Sequence, residues 1–207
     1  MKKIGRLCVI TDTIIQNKYS HFDIARFAIR GGADIIQFRD KRMSTGELLE
    51  TALKIRSLCK KNKVMFIVND RVDIALLSNS DGVHLGSEDI QISEARKLLG
   101  QRKIIGGTAH NIDEAVQAEK DGADYLGYGH IFATQSKIKT TPPVGLIELK
   151  KVCKIIKIPI LAVGGIDTNN AKSVISAGAH GMAVIGAVVK SSDPAKAVKN
   201  LREQIYE

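Results

Sequence analysis

Eight short apolar runs recur along the chain, each followed by a stretch with helical spacing. The runs are Leu7–Thr11, Asp34–Phe38, Met65–Val68, Gly82–Leu85, Lys103–Gly107, Tyr125–Gly129, Ile158–Val163 and Gly181–Ile185. The helical stretches are His21–Arg30, Thr45–Lys61, Val72–Leu77, Ile92–Leu99, Ile112–Lys120, Leu146–Ile155, Asn169–Ala177 and Asp193–Gln204. Strict alternation of this kind implies parallel strands joined by right-handed crossovers, since antiparallel neighbours are joined by short hairpins. Each unit has about 26 residues, enough for a strand, a helix and two turns. Eight units close a (β/α)8 barrel, whereas a doubly wound sheet usually has fewer strands. The sequence thus predicts an α/β fold: one TIM-barrel domain over residues 1–207, without space for a second.

A local echo supports this. Gly32-Ala33-Asp34, Gly122-Ala123-Asp124 and Gly178-Ala179-His180-Gly181 each end a helix and launch a strand. Glycine is expected there in a left-handed turn. Asn111, Thr168 and Ser191 or Ser192 stand where side chains cap free helix amides.

Composition narrows the function classes. No apolar run is long enough to span a membrane. Met1-Lys2-Lys3 resembles the start of a signal peptide, but Arg6 and Asp12 break the apolar stretch after it, so it is read as mature protein. The three cysteines, Cys8, Cys59 and Cys153, form no Cys-x-x-Cys pair. Neither a zinc site nor a disulfide framework is indicated, Cys8 and Cys153 read as small buried hydrophobes, and a reducing cytoplasm fits. The net charge of +9 is compatible with nucleic acid or with an anionic small substrate. Five Phe, four Tyr and no Trp make poor provision for stacking bases, so a nucleic-acid partner is not expected.

Barrel enzymes place their chemistry at the carboxyl ends of the strands. At the second strand Gln37, Arg39 and Lys41 alternate and so point the same way, a candidate clamp for a phosphate or pyrophosphate. Asn69-Asp70 and Asp89 follow later strands, and carboxylates facing a cationic clamp suit Mg²⁺ bridging a polyphosphate. Both cations of the clamp are expected to end in open space at the barrel mouth. Gly164-Gly165 and Gly186 close the last two strands, where bare amides can approach a phosphate monoester. The Thr134–Lys137 loop suits anionic oxygens. Each feature also has a plainer origin, in a half-exposed strand, a tight turn or a solvated loop. His84 and His110 read as hydrogen-bonded pocket walls.

In order along eight units, five segments resemble the thiamin phosphate synthase and thiazole tautomerase superfamily. They are Gln37-Phe38-Arg39-Asp40-Lys41, Val68-Asn69-Asp70, Asp81–Gly86 with Glu88-Asp89, Gly107-Thr108-Ala109-His110 and the Thr134–Lys137 loop. The resemblance covers nearly the whole chain. For the synthase it implies coupling of hydroxymethylpyrimidine pyrophosphate to a thiazole phosphate, with release of pyrophosphate. Gln37, Arg39, Lys41, Asn69, Thr108 and Lys137 would hold the pyrimidine pyrophosphate, and Arg39, Lys41, Lys137 and Thr108 would act on it. Asp70 and Asp89 would ligate Mg²⁺. Thr134, Ser136, Gly165, Ile185 and Gly186 would receive the thiazole phosphate. Phe38, Asp40 and Gln135 are expected to line the substrate site with their segments, although Asp40 faces away from the clamp and reads as structural.

The chain departs from the synthase pattern at three positions. Thr108 stands where Ser is usual, Gly186 where Ser is common, and His130 where a Gly-Pro-Ile-Phe stretch has Pro. Gly-His-Ile-Phe resembles the tautomerase, in which such a histidine moves protons. The retained Lys41, Asp70, Asp89 and Lys137 favour the synthase, because the tautomerase has no use for a leaving-group site. Tautomerase is the alternative reading. A non-catalytic phosphate-binding regulatory barrel is the third, but it would not need metal carboxylates. Partners are expected to be small phosphorylated molecules, and a homo-oligomer is left open.

Overall fold

All eight runs become strands, and the helices fall between them. In the computed structural model, which describes residues 3–134 and 142–206, the order opens β1 (Leu7–Thr11), α1 (His21–Arg30), β2 (Ile35–Phe38), α2 (Thr45–Asn62), β3 (Met65–Asn69) and α3 (Val72–Leu77). It continues β4 (Gly82–Leu85), α4 (Ile92–Leu99), β5 (Ile104–Ala109), α5 (Ile112–Lys120), β6 (Tyr125–Gly129) and α6 (Gly145–Ile155). It ends β7 (Ile160–Val163), α7 (Ala171–Ser176), β8 (Gly181–Val184), α8 (Gly186–Val189) and α9 (Pro194–Tyr206). Every strand pairs in parallel with its chain neighbours, and β1 also pairs with β8, so the barrel closes in sequence order. Among the described residues no helix is long and apolar enough to cross a membrane.

Local chemistry sets several boundaries. Glu119 takes the Ile158 N–H at 3.0 Å and Pro159 has none to give, so β7 starts two residues later than its apolar run. Ser20 and Ser44 form reciprocal capping boxes with Asp23 and Glu47, and Asn111 caps α5. The other expected caps are replaced. Asp193 accepts the Lys196 N–H to cap α9, with Ser191 accepting the Asp193 N–H instead, and Thr168 caps nothing. The short α8 was not expected: its four residues carry no helical period and fall between the run that ends at Ile185 and the helical stretch that starts at Asp193.

The repeated glycines do adopt positive φ, 90° at Gly32, 91° at Gly122 and 103° at Gly178. The aspartates beside them have a second task. Asp34 Oδ2 accepts the Arg6 and Leu7 N–H groups, and Asp124 Oδ2 accepts the Ile105 N–H at 2.8 Å. Asp81 accepts the Phe66 N–H in the same way. Each carboxylate thus stitches the start of one strand to its neighbour, and each is paired with an arginine, Arg202, Arg96 or Arg56. This end of the barrel is built for stability. Asp124→Ala would orphan the Ile105 amide and is expected to cost about 2–3 kcal/mol, roughly 4–10 °C in unfolding midpoint. Thermal denaturation checks this, and the pocket at the opposite end should be unaffected.

Apolar side chains fill both the barrel and the layer between barrel and helices. Cys8 and Cys59 are buried and Cys153, contrary to expectation, is only half-buried. Burial pushes the Cys59 thiol up to about 12 and Cys8 further still, so neither offers a thiolate at neutral pH.

Candidate active site

The carboxyl ends of the strands surround a cavity of about 1080 Å³. Its floor follows from register. Ile10 lies beside Gln37, Asn69 beside His84, Thr108 beside Gly127 and Val163 beside Ala183, and all eight line the cavity. Alternation turns the intervening Thr11, Phe38, Val68, Val83 and Leu85 away from the cavity, and all are buried.

The clamp assembles at the ends of β2 and β3. Arg39 Nη1 donates to Asp12 Oδ2 at 2.7 Å, and the side chains are 10% and 1% exposed. Asp12 Oδ1 also accepts the Ile14 and Ile15 amides, so this carboxylate is fixed by its own loop. The expectation of open space therefore fails for Arg39, whose Nε is buried without a protein partner. It holds for Lys41, 55% exposed, whose Nζ lies 2.5 Å from Asp70 Oδ2. Asp70 sits at φ 64°, a left-handed conformation that a non-glycine residue adopts at a cost. Asp89 accepts the Gly86 N–H at 2.7 Å. Burial raises its pKa; the Gly86 hydrogen bond opposes this, and the neighbouring Asp70 carboxylate adds to it. The two carboxylates and the exposed Lys41 ammonium thus lie together at this end of the cavity.

His84 is held from two sides. Its Nδ1 is 3.1 Å from the Tyr125 hydroxyl and its Nε2 is 3.0 Å from Thr108 Oγ1. Gly106 makes room for this arrangement, because a Cβ there would lie 2.2 Å from the Tyr125 ring and 2.5 Å from His84 Nδ1. The histidine is the hydrogen-bonded wall that was expected. His110 lines the cavity too, but not as the hydrogen-bonded wall expected: its backbone N–H donates to Glu114, while its ring Nδ1 is buried without a protein partner.

At the other end of the cavity lie Thr134, Gly165, Ile185 and Gly186, with His130 beside them. Gly165 has φ 65°, and a Cβ there would meet the Ala133 carbonyl oxygen at 2.4 Å. The close approach of Ala133 requires glycine at 165, and Gly165, after β7, with Gly186, at the start of α8, brings bare backbone to this end of the cavity, together a glycine cradle. Lys190, the residue that ends α8, adds a cation. His130 is 7% exposed.

The structure brings together Gln37, Arg39, Lys41, Asn69, Asp70, Asp89, Thr108, Thr134, Gly165, Ile185, Gly186 and His130. Phe38 and Asp40 do not reach the cavity. Phe38 is buried behind the barrel wall, and Asp40 turns to His21 and to the Arg42 and Met43 amides. Both lie on the outward face of alternation. Gln135, Ser136 and Lys137 lie outside the described residues. Sequence reasoning missed Asp12 as the partner of Arg39, Tyr125 as the support of His84, and Lys190. Asp12 had a readable signal, since it directly follows β1 and so sits at the carboxyl end, whereas Tyr125 opens β6 at the opposite end and reads as core.

The chain is similar to known proteins over nearly its whole length. The model of one protein family, described as thiamine monophosphate synthase, matches residues 7–188. A protein named thiamine-phosphate synthase from Chlorobium phaeobacteroides is 48% identical over 197 residues, 95% of this chain and 94% of that one. Another of that name, from Coprothermobacter proteolyticus, is 47% identical over 205 residues, 99% of this chain and 97% of that one. The solved structure of thiamine phosphate pyrophosphorylase from Pyrococcus furiosus superposes with a TM-score of 0.88 at 40% identity, covering 97% of this chain and 95% of that one.

Proposed function

The chain belongs to the thiamine monophosphate synthase family, and on that footing we propose that it couples hydroxymethylpyrimidine pyrophosphate to thiazole phosphate, releasing pyrophosphate and forming thiamin phosphate. One observation carries this reading to the residues: a single cavity has a cationic, carboxylate-flanked clamp at one end and a glycine cradle at the other. Two phosphorylated substrates can therefore meet with their reacting centres between the two anionic groups.

Arg39 and Lys41 would take the pyrophosphate, and the family resemblance adds Lys137 to them. As the C–O bond to the pyrimidine methylene breaks, negative charge grows on the leaving oxygen, and fixed cations stabilise that state more than the ground state. Arg39, held by Asp12, provides a preorganised fork. Lys41 can exchange Asp70 for the leaving group. The thiazole nitrogen then captures the pyrimidinyl-methyl cation through a new C–N bond. Gln37, Asn69 and the Thr108 hydroxyl, oriented by His84, would hold the pyrimidine. The cradle of Gly165, Ile185 and Gly186, with Thr134 and Ser136, would hold the thiazole phosphate. No strong base or covalent nucleophile is needed, which agrees with buried thiols and a hydrogen-bonded His84.

Asp70 and Asp89 would hold Mg²⁺. The donor set fits: Mg²⁺ commonly binds one or two carboxylates and completes its shell with phosphate oxygens and water. When bound, the ion would neutralise charge developing on the pyrophosphate.

His130 beside the cradle is the observation that keeps the tautomerase reading in view, because a histidine can exchange protons near neutral pH. In a synthase it is a wall. His130→Ala is expected to retain at least roughly a tenth of coupling activity, the loss a shifted loop explains. A tautomerase would instead aromatise the thiazole carboxylate tautomer and lose roughly 10²-fold or more with His130→Ala. Assaying both reactions on both proteins decides. Coupling absent and tautomerisation present, lost with His130, would contradict the synthase.

A further inference from the structure

We propose that His21 is a positioning residue for the leaving-group clamp, acting through a buried hydrogen-bonded chain that fixes the loop carrying Arg39 and Lys41. This rests on the synthase reading and adds to it a group outside the cavity.

The chain of contacts has a definite direction. The Arg39 N–H donates to Thr11 Oγ1 at 3.4 Å, and Thr11 Oγ1 lies 2.7 Å from His21 Nδ1. His21 Nε2 lies 2.9 Å from Asp40 Oδ2. An ionised Asp40 only accepts, so Nε2 carries the proton, and Thr11 donates to Nδ1. Asp40 Oδ1 then accepts the Arg42 and Met43 N–H groups at 2.7 and 2.8 Å. Residues 39, 40, 42 and 43 are thereby all held, and Lys41, in their midst, is placed by its neighbours.

The surroundings agree with a neutral His21 tied to an ionised Asp40. Burial lowers the His21 pKa more than Asp40 and Asp12 raise it, while Arg42 also lowers it. Burial raises the Asp40 pKa, but the Arg42 amide, His21 and the Met43 amide together bring it down to about 2. Thr13 Oγ1 adds a further donor to Asp40 at 3.2 Å. His21 itself is 2% exposed and packs edge-on against Phe38, with ring centroids 5.0 Å apart. An aromatic hydrocarbon would fill that space equally well. What the imidazole adds is a bond in each direction, to β1 through Thr11 and to the β2 loop through Asp40. Bonds of this kind set the orientation of groups that touch substrate.

The test compares wild type, His21→Phe and His21→Gln, measuring kcat and KM for each substrate, pyrophosphate binding by calorimetry with Mg²⁺, and the unfolding midpoint. For His21→Phe, kcat/KM for the pyrimidine pyrophosphate should fall about 10–100-fold and pyrophosphate affinity should weaken with it. KM for thiazole phosphate should stay within about twofold, because the cradle is on other strands. His21→Gln, whose amide reaches Asp40, should recover most of the loss. If His21→Phe does not fold, Asp40→Asn, which turns a donor toward His21 Nε2, should give the same split. Wild-type kinetics in the folded variants, equal losses for both substrates, or no recovery by His21→Gln would overturn the positioning role. A wild type that neither couples nor binds pyrophosphate would overturn the functional reading beneath it, whereas a competent wild type with an unimpaired His21→Phe overturns this inference alone.

Discussion

Lys41→Ala is expected to slow the coupling reaction by about 10²–10³-fold while leaving the unfolding midpoint nearly unchanged. The two halves have separate causes. The ammonium is 55% exposed, and its pair with Asp70 is open to solvent, so its removal costs the fold about 1 kcal/mol or less. The same group would face the leaving pyrophosphate, where charge grows only as the bond breaks, so its loss should appear in kcat more than in KM. Arg39 makes a poorer test. Arg39→Ala would leave the Asp12 carboxylate, 1% exposed, without its cation, and is expected to destabilise the protein by about 3–5 kcal/mol. Steady-state kinetics with a thermal scan on each variant checks both statements. A Lys41→Ala protein with full activity would remove the clamp from the mechanism.

Chelation is the second large effect. With excess chelator, coupling should fall to background and return when Mg²⁺ is restored. Asp70→Asn should raise the Mg²⁺ concentration for half-maximal rate by roughly tenfold or more, since one of two carboxylate ligands is neutralised. A readout independent of turnover is available. Burial and the Asp70 charge hold the Asp89 carboxyl above its ordinary pKa, so Asp70→Asn should lower it in the metal-free protein, as seen by NMR titration. A raised carboxyl pKa also means that protons compete with the cation earlier on acidification, so the Mg²⁺ requirement should grow as the pH falls. Undiminished coupling in chelator would rule out the arrangement.

The fold was legible because each unit repeats a pattern that physics allows to close in one way. Seven crossovers set the eight strands side by side, and the pairing of β8 with β1 leaves no free edge. The site was legible wherever a side chain sits at a strand end, as with Gln37, Asn69 and Thr108. It was less so where function depends on a partner. Asp12 is visible as a carboxylate after β1, but only the Ile10 to Gln37 register brings it to Arg39. Tyr125 reads as core until Gly106 is seen to leave room for its hydroxyl beside His84. Phe38 and Asp40 were swept into the site by the motif around them, although alternation turns both outward. His21 opens α1 as an ordinary polar residue, and the role proposed for it depends on contacts with β1 and with the loop after β2. The four-residue α8 has no cap or period that separates it from β8.

The central claim is tested most directly by incubating the purified chain with hydroxymethylpyrimidine pyrophosphate, thiazole phosphate and Mg²⁺, and following both products. Thiamin phosphate and pyrophosphate should appear in equal amounts, and neither should form when thiazole phosphate is withheld. No thiamin phosphate from a folded, Mg²⁺-supplied protein would contradict the synthase.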